Sequence, residues 1–61
     1  EVPSGIVPSS ILKYVAANHP NSIIVEIDKE TWKDGKGYEI DLNNYEPDLL
    51  FDFEGNFLRE D

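Results

Sequence analysis

The chain has 61 residues and no cysteine, so it forms one small domain whose stability must come from apolar burial rather than from disulfides or thiolate-bound metal. Thirteen acidic residues against five basic ones give a formal net charge of -8. A chain with this charge repels nucleic-acid phosphates and anionic lipids, and no apolar run approaches the roughly 20 residues of a membrane-spanning helix. We therefore expect neither nucleic-acid binding nor membrane insertion.

The opening segment is interrupted by residues that oppose regular helix, namely Pro3, Gly5 and Pro8. Residues 1–7 are therefore predicted to form an extended arm or a linker between repeats. Residues 8–61 are predicted to form the folded domain.

A helix is predicted over residues 9–18. Ser9 can cap free N–H groups at its start, and Pro20 ends it by disfavouring helical geometry at His19. The apolar face of this helix carries Ile11, Leu12 and Val15. A second element has to cover that face.

Period-two alternation begins after the helix and predicts a hairpin of two antiparallel strands. Residues 22–32 form the first strand, and Asp34–Gly35 is a favoured turn pair because both turn positions tolerate positive φ. Residues 38–43 form the second strand. The side chains predicted to share the inner face of this hairpin are Ile23, Val25, Ile27, Tyr38, Ile40 and Leu42.

Two further strands are predicted after a looser turn that contains Pro47. The third strand covers residues 48–53, and Gly55 lies in the tight turn that follows it. Residues 57–59 return as a short edge strand. The side chains predicted to face inward from the third strand are Leu49, Phe51 and Phe53.

These elements predict an α+β fold in which one N-terminal helix packs on a four-stranded antiparallel meander (α-β-β-β-β). The helix is the only element that can cover the apolar face of the sheet. The prediction requires nine inward strand residues to point toward the helix.

The order of these residues resembles a known family, the PepSY-like family of β-lactamase-inhibitor-like proteins. The resemblance runs from about Val7 to Arg59. It is carried by Pro8, Ile11, Tyr14, Pro20, Gly37-Tyr38-Glu39-Ile40-Asp41-Leu42, Leu50-Phe51-Asp52 and Gly55-Asn56-Phe57-Leu58.

The resemblance implies a periplasmic or secreted protein, although the chain itself shows no signal peptide. It supplies no catalytic residues, and it implies that two such repeats often occur in one protein. Two features depart from the family pattern: the turn at residues 43–47 is longer than a tight Asn-Gly turn, and only one repeat is present. Residues 2–7 resemble a linker to a second repeat.

No catalytic site is expected. His19 would have to activate Ser4, Ser9, Ser10 or Ser22, and no sequence motif supports such a pair, so His19 is interpreted as a surface residue at the helix end. The carboxylates of the strands alternate outward into water, whereas acid–base catalysis needs one of them in an apolar pocket.

No cofactor or metal site is expected either. Residues 52–56 resemble a calcium loop, but aligning Gly55 with the loop glycine places Leu50 where the first aspartate is needed. Gly35–Gly37 lacks the further glycines and the following helix of a phosphate-binding loop. Weak divalent-cation binding by the acidic face is kept as an alternative.

The candidate binding surface is the outward face of the sheet. Strict alternation places Trp32, Ile24 and Leu50 there beside carboxylates, a composition typical of recognition surfaces. A bulge near Trp32 that turns the indole into the core is an equally weighted alternative. The predicted partner-binding residues are Trp32, Ile24, Leu50, Glu26, Asp28 and Tyr45.

The leading functional hypothesis is a non-enzymatic interaction module that binds a protein or peptide through this face, with basic partners favoured. Inhibition, as the family name implies, rests on fold analogy alone. A structural repeat that pairs with a sister repeat, or with a second copy as a homodimer, is the other alternative.

Overall fold

The computed structural model describes residues 2–61, apart from the side chain of Ser4, and shows one helix followed by a four-stranded antiparallel sheet. Glu1, the first residue of the predicted arm, lies outside the described residues. The elements are a 3-10 turn at Ser4–Ile6, α1 at Ser9–Asn18, β1 at Ile24–Trp32, β2 at Gly35–Leu42, β3 at Leu49–Asp52 and β4 at Phe57–Glu60. The predicted α+β class and element order are confirmed.

The helix begins differently from the sequence prediction. Pro8 occupies the cap position without a side-chain hydrogen bond, and Ser9 is the first helical residue. The Ser10 hydroxyl instead donates to the Gly55 carbonyl over 2.9 Å, which ties the helix start to the turn between β3 and β4. The helix ends as predicted, with the His19 N–H donating to the Val15 carbonyl. Among the described residues, no helix is both long and apolar enough to cross a membrane.

The four strands form a meander in which each strand pairs with the next along the chain. The β1–β2 hairpin reverses at residues 33–34, and Gly35 opens β2 with a φ of 154°, a conformation that favours glycine. Asp34–Gly35 is therefore not the central pair of the turn, although the reversal lies where it was predicted. This hairpin extends beyond β3, because the pairing of β2 with β3 stops at Gly37 and Asp52.

The core lies between α1 and one face of the sheet. Ile11 and Val15 contribute from the helix, and Tyr14 adds an edge-to-face contact with Phe51 and a stacked contact with Phe57. The strand residues buried in this cluster are Ile27, Tyr38, Ile40, Leu42, Leu49 and Phe51. These six are among the nine that were predicted to point toward the helix.

Of the other three inward predictions, those for Ile23 and Val25 are wrong, whereas Phe53 contacts a core residue but is only partly buried. A register shift in β1 makes Val25 an extra residue between Ile24 and Glu26, so Ile24 packs against the core while Ile23 and Val25 are exposed. Phe53 follows the last residue of β3 and is partly exposed, with its ring edge-to-face against Tyr38.

The segment before the helix contacts the domain. The Val2 N–H donates to the Ile27 carbonyl over 2.7 Å, Ser4–Ile6 form the 3-10 turn, and Val7 is buried in the core. The division into an arm at 1–7 and a domain at 8–61 stays a prediction.

Candidate functional site

The face of the sheet opposite α1, here called the open face, carries most of the strand carboxylates. Residues paired across neighbouring strands share a face, and the pairing Asp28–Glu39–Leu50–Arg59 defines one row across all four strands. The residues assigned to the open face by this register are Glu26, Asp28, Glu30, Trp32, Gly37, Glu39, Asp41, Leu50, Asp52 and Arg59.

The bulge in β1 adds two aliphatic side chains to the open face. Ile24 and Ile27 both face the helix side, and two residues, Val25 and Glu26, lie between them instead of one. Both therefore lie on the open side, as does Ile23 by alternation from Ile24. Ile23 is 66% exposed and Val25 is 58% exposed. Together they form an apolar spot at the start of β1.

Trp32, at the other end of β1, is half-buried on the open face rather than folded into the helix-side core. The guanidinium carbon of Arg59 lies 5.8 Å from the centre of its ring, within the range of a cation–π interaction. The same guanidinium donates to both carboxylate oxygens of Asp34, over 3.1 and 3.3 Å. Strand β4 is thus connected to the tip of the β1–β2 hairpin.

Leu50 faces outward as predicted, but it is fully buried. It lies beside Arg59 on the neighbouring strand, and the Arg59 side chain has to cross the face above β3 to reach Trp32. The prediction that Leu50 is an exposed surface residue is therefore wrong: on an inner strand, with β2 on one side and β4 on the other, it has no exposed surface.

Ile24 is also displaced from the predicted surface. It is half-buried on the helix side, and together with Leu12 it lines a shallow groove of about 430 Å³ between the end of α1 and the start of β1. The predicted apolar spot of Trp32, Ile24 and Leu50 does not form. The exposed pair Ile23 and Val25 occupies the open face instead.

The remaining predicted binding residues lie apart from one another. Glu26 and Asp28 are on the open face, and each has an interaction partner. Tyr45 lies in the turn between β2 and β3 and is completely exposed. Their predicted role in binding stays a prediction.

Two carboxyl groups share a hydrogen bond on the open face. The hydrogen bond with Asp48 raises the pKa of Glu39 to about 7, helped by burial and by the negative charges of Asp48, Glu30 and Asp61. Below that pH, Glu39 is protonated and donates to Asp48. The open face therefore gains negative charge close to neutral pH.

His19, Ser22 and Glu46 come together at the end of α1, but not as a catalytic relay. The Ser22 hydroxyl donates to the Glu46 carboxylate, and His19 Nδ1 lies 3.4 Å from the other oxygen of that carboxylate. The acid thus lies between the serine and the histidine, whereas nucleophilic catalysis needs the histidine next to the serine. The hydrogen bond from Ser22 lowers the pKa of Glu46, which makes this carboxylate a weaker base. His19 is half-buried rather than a surface residue.

In the loop that resembles a calcium site, the Asp52 carboxylate accepts hydrogen bonds from the backbone of the loop itself. Asp52 Oδ1 accepts the N–H groups of Glu54 and Asn56 over 3.0 and 2.9 Å. The backbone hydrogen bond from Asn56 is the main cause that lowers the pKa of Asp52. Within residues 2–61, no group of three or more His, Asp or Glu side chains is placed to hold a metal ion.

Sequence reasoning missed Ile23 and Val25 because it assumed unbroken alternation. The sequence contains one indication of the bulge, an uninterrupted apolar run from Ile23 to Val25, which alternation alone cannot divide between two faces. Arg59 was also missed, since nothing in its local sequence shows that it contacts Trp32.

One helix on a four-stranded meander, with a carboxylate-rich open face, defines a small α+β domain of the helix-on-sheet class. Residues 1–59 match the family described as "Putative beta-lactamase-inhibitor-like, PepSY-like". The chain belongs to this PepSY-like family, as its sequence resemblance indicated. No curated protein and no solved structure matches the chain.

Proposed function

We propose that the chain is a non-enzymatic interaction module that binds a basic protein segment through its open face. The observation that supports this proposal most directly is the exposed pair Ile23 and Val25 beside a field of carboxylates. Exposed aliphatic side chains with a charged rim are typical of binding surfaces.

The charge of the molecule favours a basic partner. The net charge is -8, and Glu30, Glu39, Asp41 and Asp52 all lie on the open face. Such a surface attracts positively charged partners, accelerates their association, and disfavours acidic ones.

The contact between Arg59 and Trp32 supports the same partner chemistry. An indole ring and the Asp34 carboxylate already hold one guanidinium at this end of the open face. The Arg59 side chain is 43% exposed and that of Asp34 is 66% exposed, so this ion pair lies next to solvent. The exposed Asp34 carboxylate can also accept hydrogen bonds from an arginine or lysine side chain of a partner.

A binding experiment with a defined probe tests the proposal. The probe is a short fluorescently labelled peptide of alternating lysine and leucine, and its anisotropy is followed during titration with the protein. We expect saturable binding that weakens as NaCl is raised, because salt screens the carboxylates. A peptide of alternating glutamate and leucine is the charge control. Equal binding of both peptides, or no binding of either, contradicts the proposal.

A matched pair of variants locates the surface. Val25→Ser removes an exposed aliphatic side chain from the open face, whereas Ile6→Ser removes one that is 67% exposed in the segment before α1. We expect weaker binding from the first variant only. Equal losses from both variants would point to non-specific hydrophobic association.

The family description names β-lactamases as one class of enzyme whose inhibition can be assayed. A β-lactamase is titrated with the protein while the hydrolysis of a chromogenic substrate is followed. Inhibition that Val25→Ser relieves and Ile6→Ser does not would make the inhibitor-like function specific to the open face. An unchanged rate rejects inhibition of the enzyme tested.

Pairing with a sister repeat or a second copy is the second candidate function. It is favoured by the position of Ile23 and Val25 at β1, which is an edge strand of the sheet. The net charge of -8 opposes contact between two identical chains. A mass that rises with concentration in sedimentation experiments would support this candidate, and a constant monomer mass would reject self-association.

The proposed compartment is periplasmic or secreted, in keeping with the family resemblance. Fractionation of cells that express the full-length gene product tests it, and recovery in the cytoplasmic fraction would contradict it.

A further inference from the structure

The turn between β2 and β3 has an unfavourable backbone conformation. Asn44 and Tyr45 have φ values of 63° and 61°, the pattern of a type I′ turn, in which glycine is the preferred second residue. Asn tolerates this region, whereas a bulky residue such as tyrosine does so only with strain. The Glu46 N–H donates to the Asn43 carbonyl and closes the turn.

Contacts on both sides of the turn hold this conformation. Asn43 donates its N–H to the Ile23 carbonyl over 3.1 Å, and its Oδ1 accepts the Ile23 N–H over 2.9 Å. On the other side, the Glu46 carboxylate accepts the Ser22 hydroxyl and contacts His19. Strained backbone persists where its surroundings determine it in this way, and such positions cluster at functional sites.

The strain at Tyr45 is not compensated by packing within the domain. The side chain has a relative exposure of 106%, so the ring is presented entirely to water. A glycine or an asparagine would satisfy the backbone better, and folding alone therefore gives no reason for an aromatic residue here. Tyrosine is, however, one of the residues that contribute most to binding at protein interfaces.

The turn that carries Tyr45 is hydrogen-bonded to the residue that precedes β1. The two hydrogen bonds between Asn43 and Ile23 join the turn to the start of β1, where Ile23 and Val25 are exposed on the open face. We infer that Tyr45, Ile23 and Val25 form the apolar anchor of the binding surface. This anchor engages a basic segment that carries aliphatic side chains among its lysines or arginines.

This inference rests on the proposed function. It adds that the partner segment carries aliphatic side chains as well as basic ones. A second copy of the chain is a poorer occupant, because each copy carries a net charge of -8. A basic segment without aliphatic residues would satisfy the carboxylates and leave the three anchor side chains in water.

The test uses the lysine–leucine peptide described above and three variants of the turn. Tyr45→Gly removes the ring and suits the turn, and Asn44→Gly changes the same turn but keeps the ring. Tyr45→Phe keeps the ring without its hydroxyl group. We expect Tyr45→Gly to weaken binding about tenfold with a melting temperature at or above that of the wild type. The other two variants are expected to bind within about twofold of the wild type.

A lysine–serine peptide separates the two proposals. If the wild type binds this peptide as tightly as the lysine–leucine peptide, the surface is purely electrostatic and the anchor is rejected, while the proposed function stands. If Tyr45→Gly binds like the wild type, the anchor is likewise rejected alone. A melting temperature that falls in Tyr45→Gly but not in Asn44→Gly shows that the ring supports the fold, which also contradicts the inference. Absence of wild-type binding to every peptide rejects both proposals.

Discussion

Leu50 and Ile23 are aliphatic residues on the same face of the sheet, yet Leu50 is fully buried and Ile23 is largely exposed. Leu50 lies on an inner strand, between β2 and β4. Ile23 lies just before an edge strand, where no neighbouring strand covers it from outside. The surroundings of a residue, more than its type or its alternation, decide what it contributes to stability.

These two positions should respond differently to truncation. Leu50→Ala is expected to lower the free energy of unfolding by about 2–5 kcal/mol, because it leaves a cavity at a fully buried position. Ile23→Ala is expected to change it by less than about 0.5 kcal/mol. Urea unfolding followed by the fluorescence of Trp32 measures both. Similar losses from the two variants would mean that Leu50 is not covered.

Glu39 is the residue with the clearest pH dependence. Its pKa is raised to about 7 by the hydrogen bond with Asp48, then by burial and by neighbouring negative charges. The folded protein therefore keeps a proton that the unfolded chain releases near the ordinary glutamate pKa of 4.5. Stability from this group is fully present below pH 4.5 and is lost as the pH rises through about 7.

We expect the melting temperature to fall between pH 4.5 and 7 in the wild type, and to fall less in Glu39→Gln. Glutamine keeps a hydrogen-bond donor toward Asp48 but cannot ionise. Asp41→Asn is the matched control, since it removes one carboxylate from the same face without removing the shared proton. If Asp41→Asn flattens the profile as much as Glu39→Gln, general charge repulsion is the cause and the assignment to Glu39 is wrong.

At the scale of elements, the β1–β2 hairpin pairs with β3 through β2 and carries most of the carboxylates of the open face. Its pairing with β3 requires a close approach at Gly37, where an added Cβ would collide with the Phe51 carbonyl oxygen and lie 2.8 Å from the Asp52 Cα. Both are backbone atoms that cannot move aside cheaply. This glycine therefore permits the pairing between β2 and β3.

Gly37→Ala should push the two strands apart. We expect a loss of about 1–3 kcal/mol or more in the free energy of unfolding, as for other overpacked positions, together with weaker amide-exchange protection at the start of β3. Gly5→Ala is the control, because an added Cβ at Gly5 meets nothing within 4 Å. An unchanged stability in Gly37→Ala would mean that the strands approach less closely than the structure shows.

At the scale of the whole molecule, negative charge is the dominant property. The chain has thirteen acidic residues and five basic ones, and carboxylates from three strands lie on the open face. The same repulsion that lowers the stability of the free domain provides the attraction for a basic partner. Stability and partner choice are therefore linked through one electrostatic field.

Salt should stabilise the free domain. Because NaCl screens repulsion among the carboxylates, we expect the melting temperature to rise with salt, by roughly 4–8 °C for each kcal/mol gained. Differential scanning calorimetry measures this, and Asp41→Asn should show a smaller rise. A melting temperature that falls with salt would show that ion pairs such as Arg59–Asp34 outweigh the repulsion.

Most of the fold could be predicted from local sequence. The limits of α1, the reversal near Gly35 and the inner face of β2 all follow from residues a few positions apart. The candidate site was predicted less well. The sequence left two positions open for Trp32, outward or turned into the core, and the structure has it half-buried on the open face. Ile24 and Leu50 were predicted to be exposed and are not, whereas Ile23 and Val25 are exposed. Those differences depend on one inserted residue in β1 and on the burial of an inner strand.

The sequence by itself determined the element order, the family and the charge, because periodicity, turn residues and composition are local properties of the chain. Only the tertiary structure decided which apolar side chains reach water, since the bulge at Val25 and the burial of Leu50 on an inner strand arise from strand pairing. It also decided that Tyr45 is held in a left-handed turn, because Ile23, Ser22 and His19 meet that turn only after the chain has folded.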